Sequence, residues 1–109
     1  MKRSAAAAVA AVLLAGCGGA SAPANADRTA AITAAHVIYE TIKVKGTDLS
    51  RGPCIAERLP GLPDWVADVA HDPRRPVDDQ PRNQCSRFRA GQAHHFVELD
   101  PNGRLIRAQ

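Results

Sequence analysis

His94-His95-Phe96-Val97-Glu98-Leu99-Asp100-Pro101-Asn102-Gly103-Arg104-Leu105-Ile106-Arg107 reads as two alternating segments around an Asp-Pro-Asn-Gly tetrapeptide. In an extended chain His95, Val97 and Leu99 fall on one face and His94, Phe96 and Glu98 on the other. Adjacent His94 and His95 therefore point to opposite sides and cannot chelate one ion together. Proline at the second turn position and glycine at the fourth suit a type I turn, so these residues predict a β-hairpin.

Working upstream, Asp72 to Gln84 holds three prolines, three aspartates and three arginines with only Val77 apolar, which predicts irregular surface chain. A helical turn from Cys85 to Ala90, closed by Gly91, would carry Phe88 inward. Before this loop, Trp65, Ala67 and Val69 alternate as a half-buried strand does, while Val66, Val69 and Ala70 would also suit a helix capped by Asp64; the alternation favours the strand. Residues 46–63 contain three prolines and three glycines around Cys54 and read as loop, with at most one helical turn from Ile55 to Leu59.

From Arg28 the period changes. Ala31, Ala35, Ile38 and Ile42 recur at spacings of four, three and four, widened by Ala34 and Tyr39, and Asp27 is placed to cap the first turn. The expected fold is α+β: one N-terminal amphipathic helix packed on a small antiparallel sheet that ends in the C-terminal hairpin. Tyr39, Trp65, Phe88 and Phe96 are its only aromatics and are all expected in the core.

The N-terminus has a different composition. Lys2 and Arg3 form a positive n-region and Ala5–Ala15 an apolar run of eleven residues, shorter than the roughly 20 a spanning helix requires. Leu14-Ala15-Gly16-Cys17 follows at once and resembles the lipobox of bacterial lipoproteins. The resemblance implies cleavage between Gly16 and Cys17, a thioether-linked diacylglycerol on the Cys17 thiol, and often a further acyl chain such as palmitate on the freed amine. Two or three chains hold a protein firmly to a bilayer at about 0.8 kcal/mol per buried methylene. The expected organisation is a signal peptide at 1–16, a lipidated, flexible tether at 17–27 and a small domain at 28–109.

That assignment changes two counts. Lysine plus arginine outnumber aspartate plus glutamate by 14 to 11, but loss of Lys2 and Arg3 leaves 12 against 11. The mature chain is nearly neutral, and a nucleic-acid partner is not expected. With Cys17 carrying lipid, Cys54 and Cys85 remain as a pair. In an oxidising compartment they are expected to form a disulfide, one that braces a domain near the lower size limit for an unassisted core.

Candidate chemistry concentrates in Asp68, His71, Asp72, Arg74, Arg75, Asp78 and Asp79. Asp68, His71 and Asp72, with His94 or His95, are the set that would hold a divalent ion or build a small metal-dependent hydrolase. The competing reading is a solvated loop whose arginines neutralise its aspartates. No nucleophile-elbow motif surrounds Ser50 or Ser86, and no cofactor fingerprint occurs, so no cofactor is expected. Arg87, Arg89, Arg104 and Arg107 would give the C-terminal half a basic face toward anionic lipid, but solvated surface charge is the favoured reading. The expectation is a lipid-anchored protein on the extracytoplasmic side of the cell membrane, carrying a binding or envelope-accessory domain rather than an enzyme. Its contact surface would be the Asp72–Gln84 loop.

Overall fold

A computed structural model describes residues 24–109. The expected signal peptide, Cys17 and all but the end of the tether lie outside the described residues. The first helix, α1, runs Asn25–Val44, beginning three residues earlier than the apolar period suggests. Asp27 consequently lies inside its first turn instead of capping it, and Ala24 takes the cap position with no side-chain hydrogen bond. A carboxylate in that turn still complements the positive end of the helix dipole.

Four strands follow: β1 (Cys54–Ala56), β2 (Trp65–Val69), β3 (His95–Leu99) and β4 (Leu105–Ala108), arranged in that order across one sheet. The 65–69 segment is thus a strand. β1 is an addition, lying where the sequence suggests loop. The outer pairs are antiparallel, but β2 and β3 are parallel, with Val66 opposite Phe96 and Asp68 opposite Glu98. The expected antiparallel sheet is therefore mixed. Parallel neighbours need a long crossover, and the proline-rich segment provides it through the short helical turns Pro76–Asp79, Pro81–Asn83 and Ser86–Arg89, the last named α2.

One sheet face packs against α1. Ala31, Ala35 and Tyr39 are buried there against Trp65, Ala67, Val69, Val97 and Leu99, with Ile38 and Ile42 filling the margins. The alanines allow close approach of helix and sheet. Polar bonds then fix the helix to the hairpin: Tyr39 Oη donates to the Pro101 carbonyl at 2.8 Å, and Arg28 Nε donates to that of Ala108 at 2.9 Å. His36 Nε2 lies 3.0 Å from the Gly103 carbonyl oxygen. Gly103 has φ +87°, and a Cβ there would come within 2.6 Å of the Tyr39 ring, so both backbone and packing call for glycine.

The other face is covered by the crossover. Val66, Cys85 and Ala93 are buried there, with Cys54 and Phe96 packed beside them. The Cys54–Cys85 disulfide, spanning 31 residues, ties β1 to the start of α2. Phe88 and Phe96 therefore do not join Tyr39 and Trp65 in one core. They meet edge to face at 5.3 Å on the crossover side, and Phe88 remains 40% exposed because its four-residue helix lies at the rim.

Candidate functional site

The crossover leaves a cleft of about 390 Å³ on its side of the sheet. Its floor comes from strand positions of one parity: Val66 and Asp68 on β2, Phe96 and Glu98 on β3, and Arg107 on β4. Arg74 and Gln84 from the crossover and Cys85, Phe88 and Arg89 at α2 form its walls. Aromatic rings and the disulfide make one end apolar, while carboxyls and guanidiniums occupy the other. The expected contact loop thus supplies a wall of the cleft.

Glu98 is almost fully buried yet well matched, accepting from Arg74 Nη1 at 2.9 Å. Arg74 also donates through Nε to Asp79 at 2.9 Å, so its charge is shared by two carboxylates. Burial disfavours the charged form of Arg74, but these two hydrogen bonds and the negative charges outweigh it and raise its pKa. Arg107 lies farther from Glu98, at 3.9 Å, and its guanidinium sits 5.2 Å from the centroid of the Phe96 ring.

Asp68 is the exception. Its Oδ1 is buried without any hydrogen-bond partner. Burial, followed by the neighbouring Glu98 charge, pushes its pKa up to about 7, with Asp78 adding to the rise and Arg74 and Arg107 opposing it. The neutral carboxyl therefore persists well above the pH at which an ordinary aspartate ionises. Asp68 and Glu98 stand side by side on parallel strands, but Glu98 is hydrogen-bonded to Arg74 whereas Asp68 Oδ1 has no partner.

Asp78, placed in the sequence among solvated loop residues, is instead 2% exposed. Its Oδ2 accepts the backbone N–H of His71 at 3.0 Å and of Arg75 at 2.8 Å, and its Oδ1 lies 3.0 Å from His71 Nδ1. Burial works against the ionised carboxylate, but those bonds and the histidine's charge hold its pKa below the ordinary value. A side chain at Gly52, whose φ is +67°, would collide with this carboxylate. Asp78 therefore clamps both ends of the crossover's first bend against the loop before β1.

The proposed ligand set does not converge. Asp68 lines the cleft, whereas His71 and Asp72 line a second hollow, with Arg75 and Asp100, of about 320 Å³. Strand geometry separates Asp68 from His71, and the Asp78 contact occupies His71 Nδ1. Among the described residues the one gathering of three potential metal ligands is Cys54, Glu57 and Cys85, and both sulfurs there are consumed by the disulfide.

His94 and His95 diverge at β3 but share an acid. Asp64 Oδ1 lies 2.7 Å from His94 Nδ1, and Asp64 Oδ2 lies 3.6 Å from His95 Nε2. His95 stacks against Trp65 at 4.9 Å between ring centroids, while His94 is exposed. The basic residues also separate. Arg87 donates to the carbonyls of Glu57 and Gln92, leaving Arg89 and Arg107 at the cleft.

The cleft was missed from sequence, although Asp68 and Glu98 left a signal: both are acids inside strands whose other face is apolar. None of the helices among the described residues is long and apolar enough to cross a membrane. No known protein family, curated protein or solved structure matches the chain.

Proposed function

We propose that the chain is a lipoprotein held on the extracytoplasmic side of a membrane through acylated Cys17, with a domain that binds a small ligand in the cleft between the sheet and the crossover. The observation that carries the binding role is the cleft itself. It combines an apolar end, a charged end and one buried carboxyl oxygen without a partner. Ligand pockets have this composition: largely apolar, with a few polar groups that set orientation.

The lipobox-like Leu14-Ala15-Gly16-Cys17 supports the anchor. The first helix starts at Asn25, eight residues after Cys17. A disulfide between Cys54 and Cys85 suits an oxidising extracytoplasmic compartment.

Acyl labelling in cells tests the anchor. The wild-type chain is expected to take up labelled palmitate and sediment with membranes, and Cys17→Ser to lose both properties. Label and membrane association that persist in Cys17→Ser contradict it.

A further inference from the structure

The charged end of the cleft has an imbalance. Glu98 and Asp79 are the partners of Arg74, so that guanidinium is committed. Arg107 forms only a long ion pair with Glu98, at 3.9 Å and with its own side chain half exposed, and Arg89 makes neither a hydrogen bond nor an ion pair among the described residues. Asp68 is the only cleft acid without such a partner, and it faces Glu98 on β3, Arg107 on β4, and Arg74 and Asp78 on the crossover. Three arginines, Arg74, Arg89 and Arg107, thus line the cleft against two acids, Asp68 and Glu98.

The apolar end presents an exposed ring. Phe88 is one of the largest exposed apolar side chains, and it stands beside Phe96 and Val66 at the cleft. Resting on the reading of the domain as a ligand-binding module, we infer that the cleft is a site for a small amphipathic carboxylate. Its apolar body lies against Val66, Phe88 and Phe96, and its carboxylate is held by Arg89 and Arg107 with Asp68 beneath. Guanidinium groups recognise carboxylates through charge-assisted, often bidentate, hydrogen bonds. A protonated Asp68 supplies an O–H donor to the same anion, and rotation about the soft terminal torsion of aspartate brings either oxygen into the cleft.

The pH dependence follows. An anion favours neutral Asp68 over ionised Asp68, so affinity falls as pH rises through about 7. Asparagine at this position keeps a neutral donor and abolishes the titration.

The test is calorimetry on the full chain in phosphatidylcholine nanodiscs, with 3-phenylpropanoate, 3-phenylpropanamide and 3-phenylpropylamine as probes sharing one apolar body. The carboxylate is expected to bind at pH 6, the amide and amine at least roughly tenfold more weakly, and Arg89→Gln and Arg107→Gln each to weaken the carboxylate by about tenfold. Both arginines are exposed, so these variants are expected to keep the wild-type melting temperature. Asp68→Asn is expected to bind equally at pH 6 and pH 8. Absence of carboxylate binding, equal or stronger binding of the amine, or wild-type affinity in both arginine variants overturns the inference. So does a preference for phosphatidylglycerol nanodiscs that is lost in the arginine variants without binding of the free carboxylate, which would assign the arginines to the membrane surface. Failure of the anchor appears only in the acyl label, whereas binding of none of the three probes removes the ligand class.

Discussion

The two faces of the sheet are built from alternate residues of the same strands, yet they differ in almost every physical respect. Ala67, Val69, Val97 and Leu99 lie in a fully buried contact with α1, where polar groups appear at the margin as helix-to-hairpin hydrogen bonds. Asp68, Glu98 and Arg107, one residue along each strand, face a cleft under a covering made mostly of turns. The helix face supplies burial sufficient to hold the strands. The crossover face can then tolerate a buried acid with an unpaired oxygen, an arrangement that costs stability and is common where binding or chemistry occurs.

The helix face is where a mutation should hurt most. Leu99→Ala removes a fully buried side chain and is expected to cost roughly 3–5 kcal/mol in urea unfolding, with little change in the denaturant slope. A loss below about 1 kcal/mol would mean that the contact with α1 is not the main core.

Next in size is the disulfide that fastens the crossover face. Replacing Cys54 and Cys85 together by alanine opens a 31-residue span and is expected to cost about 3 kcal/mol by denaturant titration. The variant should still show the far-ultraviolet helical signal of α1, because Cys54 and Cys85 pack on the opposite face of the sheet. Loss of the helical signal together with the cleft would erase the distinction between the faces.

Asp68→Asn should act in the opposite direction. A carboxyl whose folded pKa lies near 7 binds more protons when folded than when unfolded, so wild-type stability falls as pH rises from about 4 to 7. Asparagine removes that slope. The variant is expected to match wild type near pH 4 and to exceed it at pH 8 by at most about 4 kcal/mol, read from melting curves at the two values.

The helix face was largely legible in the sequence. The spacing of Ala31, Ala35 and Ile38 marked a helix, the alternation of Trp65, Ala67 and Val69 favoured a strand, and Asp100–Gly103 marked the turn, whose Asp100 Oδ1 accepts from the backbone of Asn102 and Arg104. These are periodicities over consecutive residues, which local sequence can display. β1 is only three residues long beside Pro53 and Gly52, too short to show alternation.

The crossover face was mostly hidden for a related reason. Parallel pairing of β2 with β3 depends on where the chain between them travels, and no local pattern states that. Asp78 has the surroundings of an exposed loop residue, and its burial arises from bonds to His71 and Arg75 made once the bend closes. Asp68, His71 and Asp72 are close in sequence, but the strand end leaves Asp68 in the cleft and sends His71 and Asp72 to the second hollow. The pairing of Cys54 with Cys85 was readable once the lipobox-like run ending at Cys17 set that third cysteine aside.

Amide chemical shifts of the full chain in phosphatidylcholine nanodiscs, recorded while 3-phenylpropanoate is added at pH 6, test the division between a folding face and a binding face most directly. Changes are expected at Val66, Asp68, Phe88, Arg89, Phe96 and Arg107, with α1 and the Tyr39 contact unmoved. Changes centred on α1, or none at any residue of the cleft, would contradict it.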